Sequence, residues 1–143
     1  MMAKLVAFLI SENTQNVPKL GTNDTVPQIT SPVIALRPQV IPTNFSFAIT
    51  FGVADIDMSQ KNTLRLVLKR PSGAILQDFG TAELCEMQST DTLPLEYSGF
   101  IGSVDFRNTL IDEEGCYRIE LYINGELIGE RCIPIFKGVG APK

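Results

Sequence analysis

Two acidic clusters, Asp55-Ile56-Asp57 and Asp112-Glu113-Glu114, are the residues of this chain best suited by type and spacing to do chemistry. Loop carboxylates supply the hard oxygen ligands that Ca²⁺ takes. One reading is therefore a Ca²⁺-dependent ligand-binding domain that uses Asp55, Asp57, Asp112, Glu113 and Glu114. The plainer reading, which the rest of the sequence favours, is solvated loop charge and turn chemistry, with no metal and no cofactor. The chain contains no histidine. That removes Ser-His-Asp and Cys-His catalysis and every histidine metal site. Cys85, Cys116 and Cys132 are too far apart for a C-x-x-C motif, and each reads as a small buried hydrophobe. Neither a G-x-S-x-G elbow nor a phosphate-binding P-loop is present. Gly138-Val139-Gly140 looks like the start of a dinucleotide fingerprint, but no helical pattern follows it. Paired-carboxylate glycoside hydrolysis needs an aromatic-lined cleft, and the chain has three tyrosines and no tryptophan. The expected function is not enzymatic.

Composition narrows the partners. At 143 residues a single domain over 1–143 is expected, long enough to bury roughly 68% of its unfolded surface. A hydrophobic content of 44% argues against disorder. The net charge is −4, and no basic run exceeds Lys69-Arg70. Nucleic acid and anionic membranes therefore have no electrostatic footprint here. The apolar run Leu5–Ile10 is shorter than the core of a signal peptide, and nothing approaches the roughly 20 residues of a membrane helix. Three cysteines leave one unpaired within a monomer, so a disulfide framework is not expected. A reducing cytoplasm is the expected compartment, with the sequons at Asn23 and Asn44 as chance matches.

The elements that must position these residues read as strands. Residues 3–10, AKLVAFLI, are apolar on both parities, which predicts a strand covered on both faces, or a central strand. Residues 11–32 are rich in Asn, Thr, Gln, Gly and Pro and predict a long polar loop with one short strand near Ile29. Pro38 and Pro42 keep the following piece at a sheet edge. Phe45, Phe47, Ile49, Phe51 and Val53 alternate with small residues and predict a strand that walls the core. Leu64, Leu66 and Leu68 alternate in the same way. Pro71-Ser72-Gly73 is a tight turn, returning through Ala74–Phe79. Residues 80–95 fit either a short helix or an irregular strand. Tyr97–Phe106, interrupted by Gly99 and Gly102, predicts a strand with a bulge or bend. Leu110 and Ile111 are expected to plug the core from one end, and residues 138–143 to fray.

Gly115–Lys137 predicts a β-hairpin around Asn124-Gly125. A two-residue loop would put Glu126, Ile128 and Glu130 on the face of Ile119 and Leu121, burying two carboxylates beside the core, which is costly. A three-residue loop, Ile123-Asn124-Gly125, restores Ile133 and Ile135 to that face. It pairs Leu121 with Leu127, Arg118 with Glu130 and Cys116 with Cys132. The two thiols are expected to face each other and stay reduced.

From Asp112 onward the chain resembles a motif of many bacterial immunoglobulin-like sandwiches. An acidic turn leads into Gly115-Cys116-Tyr117-Arg118-Ile119-Glu120-Leu121, then into the loop Ile123-Asn124-Gly125 and a last strand. The whole layout is similar to a family of small uncharacterised bacterial immunoglobulin-like proteins, departing from it over Ser11–Pro32. The resemblance implies a fold and carries no activity or site residue. The expectation is thus an all-β, two-sheet antiparallel β-sandwich of about eight strands, immunoglobulin-like in the broad sense. It would serve a bacterium or phage as a non-catalytic binding or assembly module. A protein partner or self-association is expected. Pro42 and Pro134 blunt two edges, and Tyr97–Phe106 is left to pair across a two-fold axis as a homodimer.

Overall fold

The computed structural model describes residues 3–18, 25–84 and 94–138, with the backbone alone for 13–18 and 25–27. Eight strands run in order: β1 Lys4–Pro18, β2 Thr25–Val33, β3 Thr43–Ala54, β4 Asn62–Lys69, β5 Ile75–Leu84, β6 Gly99–Ile111, β7 Gly115–Ile123 and β8 Glu126–Ile135. They form two four-stranded sheets, β2-β1-β3-β6 (sheet I) and β5-β4-β7-β8 (sheet II), with every strand pair antiparallel. The expected two-sheet sandwich is what the chain adopts. A single turn of 3₁₀ helix, Leu95–Tyr97, precedes β6. Among the described residues no helix is long and apolar enough to cross a membrane.

Strand alternation builds the core as expected. Phe47, Ile49, Phe51 and Val53 of β3 are buried against Leu66 and Leu68 of β4 and Ile119 and Leu121 of β7, with Phe45 and Leu64 partly buried at the margin. Phe106 stacks on Phe47 with centroids 4.6 Å apart and meets Phe79 of β5 edge-on at 5.3 Å. The rings thus close the sandwich between β6 and β5. At the opposite side β1 lies against β8. A Cβ at Gly129 would come within 2.7 Å of the Leu5 side chain, so the sheets approach closely there. Tyr117 is fully buried. Its hydroxyl donates to the Glu113 carbonyl oxygen at 2.8 Å and accepts from the Glu113 amide at 3.3 Å. This is the tyrosine corner of immunoglobulin-like sandwiches, and it explains why the Gly-x-Tyr pattern begins β7.

Several expectations are corrected. Residues 11–18 and 25–32 are strand and not loop, with 19–24 outside the described residues: β1 continues to Pro18 and pairs with β2 from Ile10–Val33 out to Pro18–Thr25. Pro27 and Pro32 lie in β2, an edge strand of its sheet, where a missing N–H is tolerated. Thr81–Leu84 is strand, and the rest of the ambiguous segment, 85–93, lies outside the described residues. Ile111 is buried, but Leu110 is 45% exposed and plugs nothing. The Pro71-Ser72-Gly73 turn forms as read, with Gly73 at φ 96°.

The hairpin solves its parity problem differently. The loop is two residues, Asn124 and Gly125, both at positive φ, as a type I′ turn requires. Ile123 pairs with Glu126 and Tyr122 with Leu127, then Leu121 pairs with Gly129. The extra residue, Ile128, is a bulge that turns β8 over. Ile133 then pairs with Tyr117 and Ile135 with Gly115 on the dry side. Cys132 falls opposite Arg118 and Cys116 opposite Pro134. The two cysteines share a face diagonally, with Cα atoms 5.5 Å apart, and form a disulfide. The expectation of reduced thiols is overturned, and the inference from an absent disulfide framework to a reducing cytoplasm loses its premise.

Candidate functional site

The two acidic clusters sit at opposite ends of the sandwich. Asp55 and Asp57 follow β3, at the end where β4 begins, whereas Asp112–Glu114 join β6 to β7 beside the β4–β5 turn. The strands between span about 25 Å for eight residues. No ion can draw on both clusters, so the joint Ca²⁺ site of the sequence reading does not assemble. Most of these carboxylates serve the local fold. Asp57 Oδ1 accepts from the Ser59 hydroxyl at 2.6 Å and its amide at 3.0 Å, which lowers its pKa. Asp112 pairs with Arg70 at 3.4 Å. Glu113 accepts from the Ser72 amide and Glu114 from the Lys137 amide. Asp55 is buried at φ 62°, and its Oδ1 has no hydrogen-bond partner.

On the outer face of sheet II the charged groups pair with one another, beside the exposed Ile75 and Leu127. Asp78 of β5 takes a two-pronged hydrogen bond from Arg65 of β4, at 3.2 and 2.5 Å. That bond holds the Asp78 carboxyl down at about 2 and raises Arg65. The Arg65 guanidinium also lies 5.6 Å over the Tyr122 ring. The Tyr122 hydroxyl donates to Glu120 at 3.0 Å, which pushes its pKa up. Lys69 meets the other Glu120 oxygen at 3.2 Å, and Arg118 reaches Glu130 diagonally at 3.4 Å. A shallow groove of about 120 Å³ opens between Thr63, Arg65, Thr81, Tyr122 and Gly125. That is well below the roughly 300–1,000 Å³ of a small-molecule pocket, and its cation is already held.

Sheet I presents a different surface. On its outer face, β3 carries exposed Asn44 and Ser46, then the buried small residues Ala48, Thr50 and Gly52, and Ala54. Beside them stand Val6, 62% exposed, and Leu9 of β1, and Ile101 of β6, 67% exposed. Gly52 lets this face stay flat, since a Cβ there would touch Ala7 at 3.3 Å. The double-parity apolar pattern of 3–10 predicted cover on both faces or a central strand; β1 is a central strand, between β2 and β3, with Val6 and Leu9 exposed on its outer face. This patch is what reading the sequence for chemistry missed. Its signal was there: apolar residues on both parities of β1 beside small residues on the second parity of β3.

No family model matches the chain, and no curated protein matches it. Among solved structures, an immunoglobulin-like protein from Pseudomonas aeruginosa is similar, with 12% identity over 95% of this chain and 98% of that chain, at a TM-score of 0.33.

Proposed function

We propose that this chain is a non-catalytic binding or assembly module of a bacterial or phage protein. It works through the outer face of sheet I. The observation that carries this reading is the contrast between the two outer faces. Sheet II pairs its charged groups with one another, while on sheet I Val6, Leu9 and Ile101 stand exposed around the buried small residues of β3. Contiguous exposed apolar surface of this kind marks interaction sites. The motif resemblance supports placing the chain among small bacterial immunoglobulin-like proteins.

A photo-reactive amino acid installed at Ile101 or Leu9 tests this in cells that express the chain. Discrete protein adducts are expected from both positions, and none from Thr81 on sheet II. A lack of adducts from Ile101 and Leu9 would overturn the reading.

A further inference from the structure

Four strands lie at sheet edges: β2, β6, β5 and β8. An edge exposes unpaired N–H and C=O groups that another strand can join, and proteins blunt such edges with proline, charge, bulges or cover. Three of these edges are blunted. β2 carries Pro27 and Pro32. β5 is broken by a bulge at Phe79-Gly80, where Gly80 takes φ 71°. β8 carries Pro134, Glu126, Glu130 and Arg131, and Leu36 pairs in parallel with its end at Ile135.

The fourth edge, β6, differs. Gly99–Phe106 pairs with β3 in unbroken register, from Ala54–Gly99 to Phe47–Phe106. The stretch reads Gly-Phe-Ile-Gly-Ser-Val-Asp-Phe, with no proline and one charge, Asp105. Its bulge comes only beyond this stretch, at Asn108, which takes φ 51°. Among the described residues nothing is paired on its free side.

We infer that β6 pairs antiparallel with β6 of a second copy, joining two sandwiches through one continuous eight-stranded sheet. This rests on the reading of sheet I as the interaction side. Opposed residues of an antiparallel pair point to the same face, so a two-fold axis must pass through a residue. The stretch 99–106 centres on Gly102 or Ser103. An axis at Ser103 would set Ile101 against Asp105 of the other copy. An axis at Gly102 sets Ile101 against Ser103, Gly99 against Asp105 and Phe100 against Val104. It opposes no like charges and brings the two apolar patches onto one surface. A second copy therefore fits this edge in register and in charge.

The test is the molar mass of the chain in solution, by light scattering at high micromolar concentration. Twice 15.7 kDa is expected. Ile101→Asp adds a carboxylate to each copy beside the partner's Asp105, and like charges so placed repel. It is expected to give monomers that still melt cooperatively, because Ile101 does not contribute to the core, at a temperature that no longer depends on protein concentration. Ile101→Val and Thr81→Asp are expected to stay dimeric. Ile101→Cys combined with Ser103→Cys should form covalent dimers under mild oxidation, well above Ile101→Cys alone. A monomeric wild type, or a dimer indifferent to Ile101→Asp, overturns the pairing. A monomer whose Ile101 photo-adduct contains a different protein overturns the pairing and leaves the binding-module reading standing.

Discussion

Phe47 shows what a single position reveals. Its alternation with Ser46 and Ala48 placed it on the dry side of a strand, and it is buried against Phe106. Phe47→Ala is expected to cost about 3–5 kcal/mol, because the cavity it leaves is walled by strands that cannot collapse. A chemical-denaturation midpoint that moves by less than about 1 kcal/mol would contradict its place in the core. Parity was legible because a strand has only two faces. Val6 and Leu9 were not legible in the same way. An apolar residue on the outer face of β1 has the same chemistry as one on the inner face. What separates them is whether anything packs above the sheet, which residue type does not record.

At the scale of elements, the hairpin shows where sequence patterns stop deciding. A three-residue loop and a two-residue loop with a bulge both return Ile133 and Ile135 to the core, so the hydrophobic pattern cannot choose between them. The choice is made across the sandwich, where the bulge sets Gly129 against Leu5. The same limit explains the misread β1–β2 hairpin, whose strands are specified by backbone pairing at an edge and carry prolines. The bulge also places Cys116 and Cys132 diagonally, 16 residues apart in sequence. A link closing a loop of that length stabilises by about 3 kcal/mol in the chain-entropy model. Denaturation in the presence of a thiol reductant is expected to show a loss of that order, and a Cys116→Ser, Cys132→Ser variant should lose the sensitivity to reductant. Peptide mapping that finds both thiols free in air-purified protein would contradict the link.

For the whole molecule, the number of strands and their antiparallel pairing were foreshadowed by alternation and turn residues, whereas the hydrogen bonds of Tyr117 to Glu113 were not. The acidic loops were visible as clusters, but only the path of the chain shows that they lie at opposite ends. Charge on sheet II also sets how the molecule responds to pH. The Asp78 carboxyl ionises more readily in the fold, at about 2, than at its ordinary 3.8. Its pairing with Arg65 therefore adds stability that is fully present above 3.8 and lost as pH falls toward about 2. Tyr122 is shifted upward by Glu120, so its contribution is present below 10.0 and lost as the medium becomes more alkaline. Asp78→Asn is expected to flatten the acid limb of stability against pH, and Tyr122→Phe the alkaline limb. Thermal melts across the pH range that leave both limbs unchanged would contradict these assignments.

The disulfide has a mechanical consequence as well. Lys4 pairs with the end of β3, and Ile135 pairs with the start of β7, so these two residues lie at opposite ends of the sandwich. Tension applied between them runs along the strands and enters β8 from Ile135. At Cys132 the load crosses the sulfur bridge to Cys116, so the intervening turn at Asn124-Gly125 carries none of it. The segment between the cysteines, Tyr117–Arg131, is hidden from extension until the bridge is reduced. Its release lengthens a stretched molecule by roughly 50 Å.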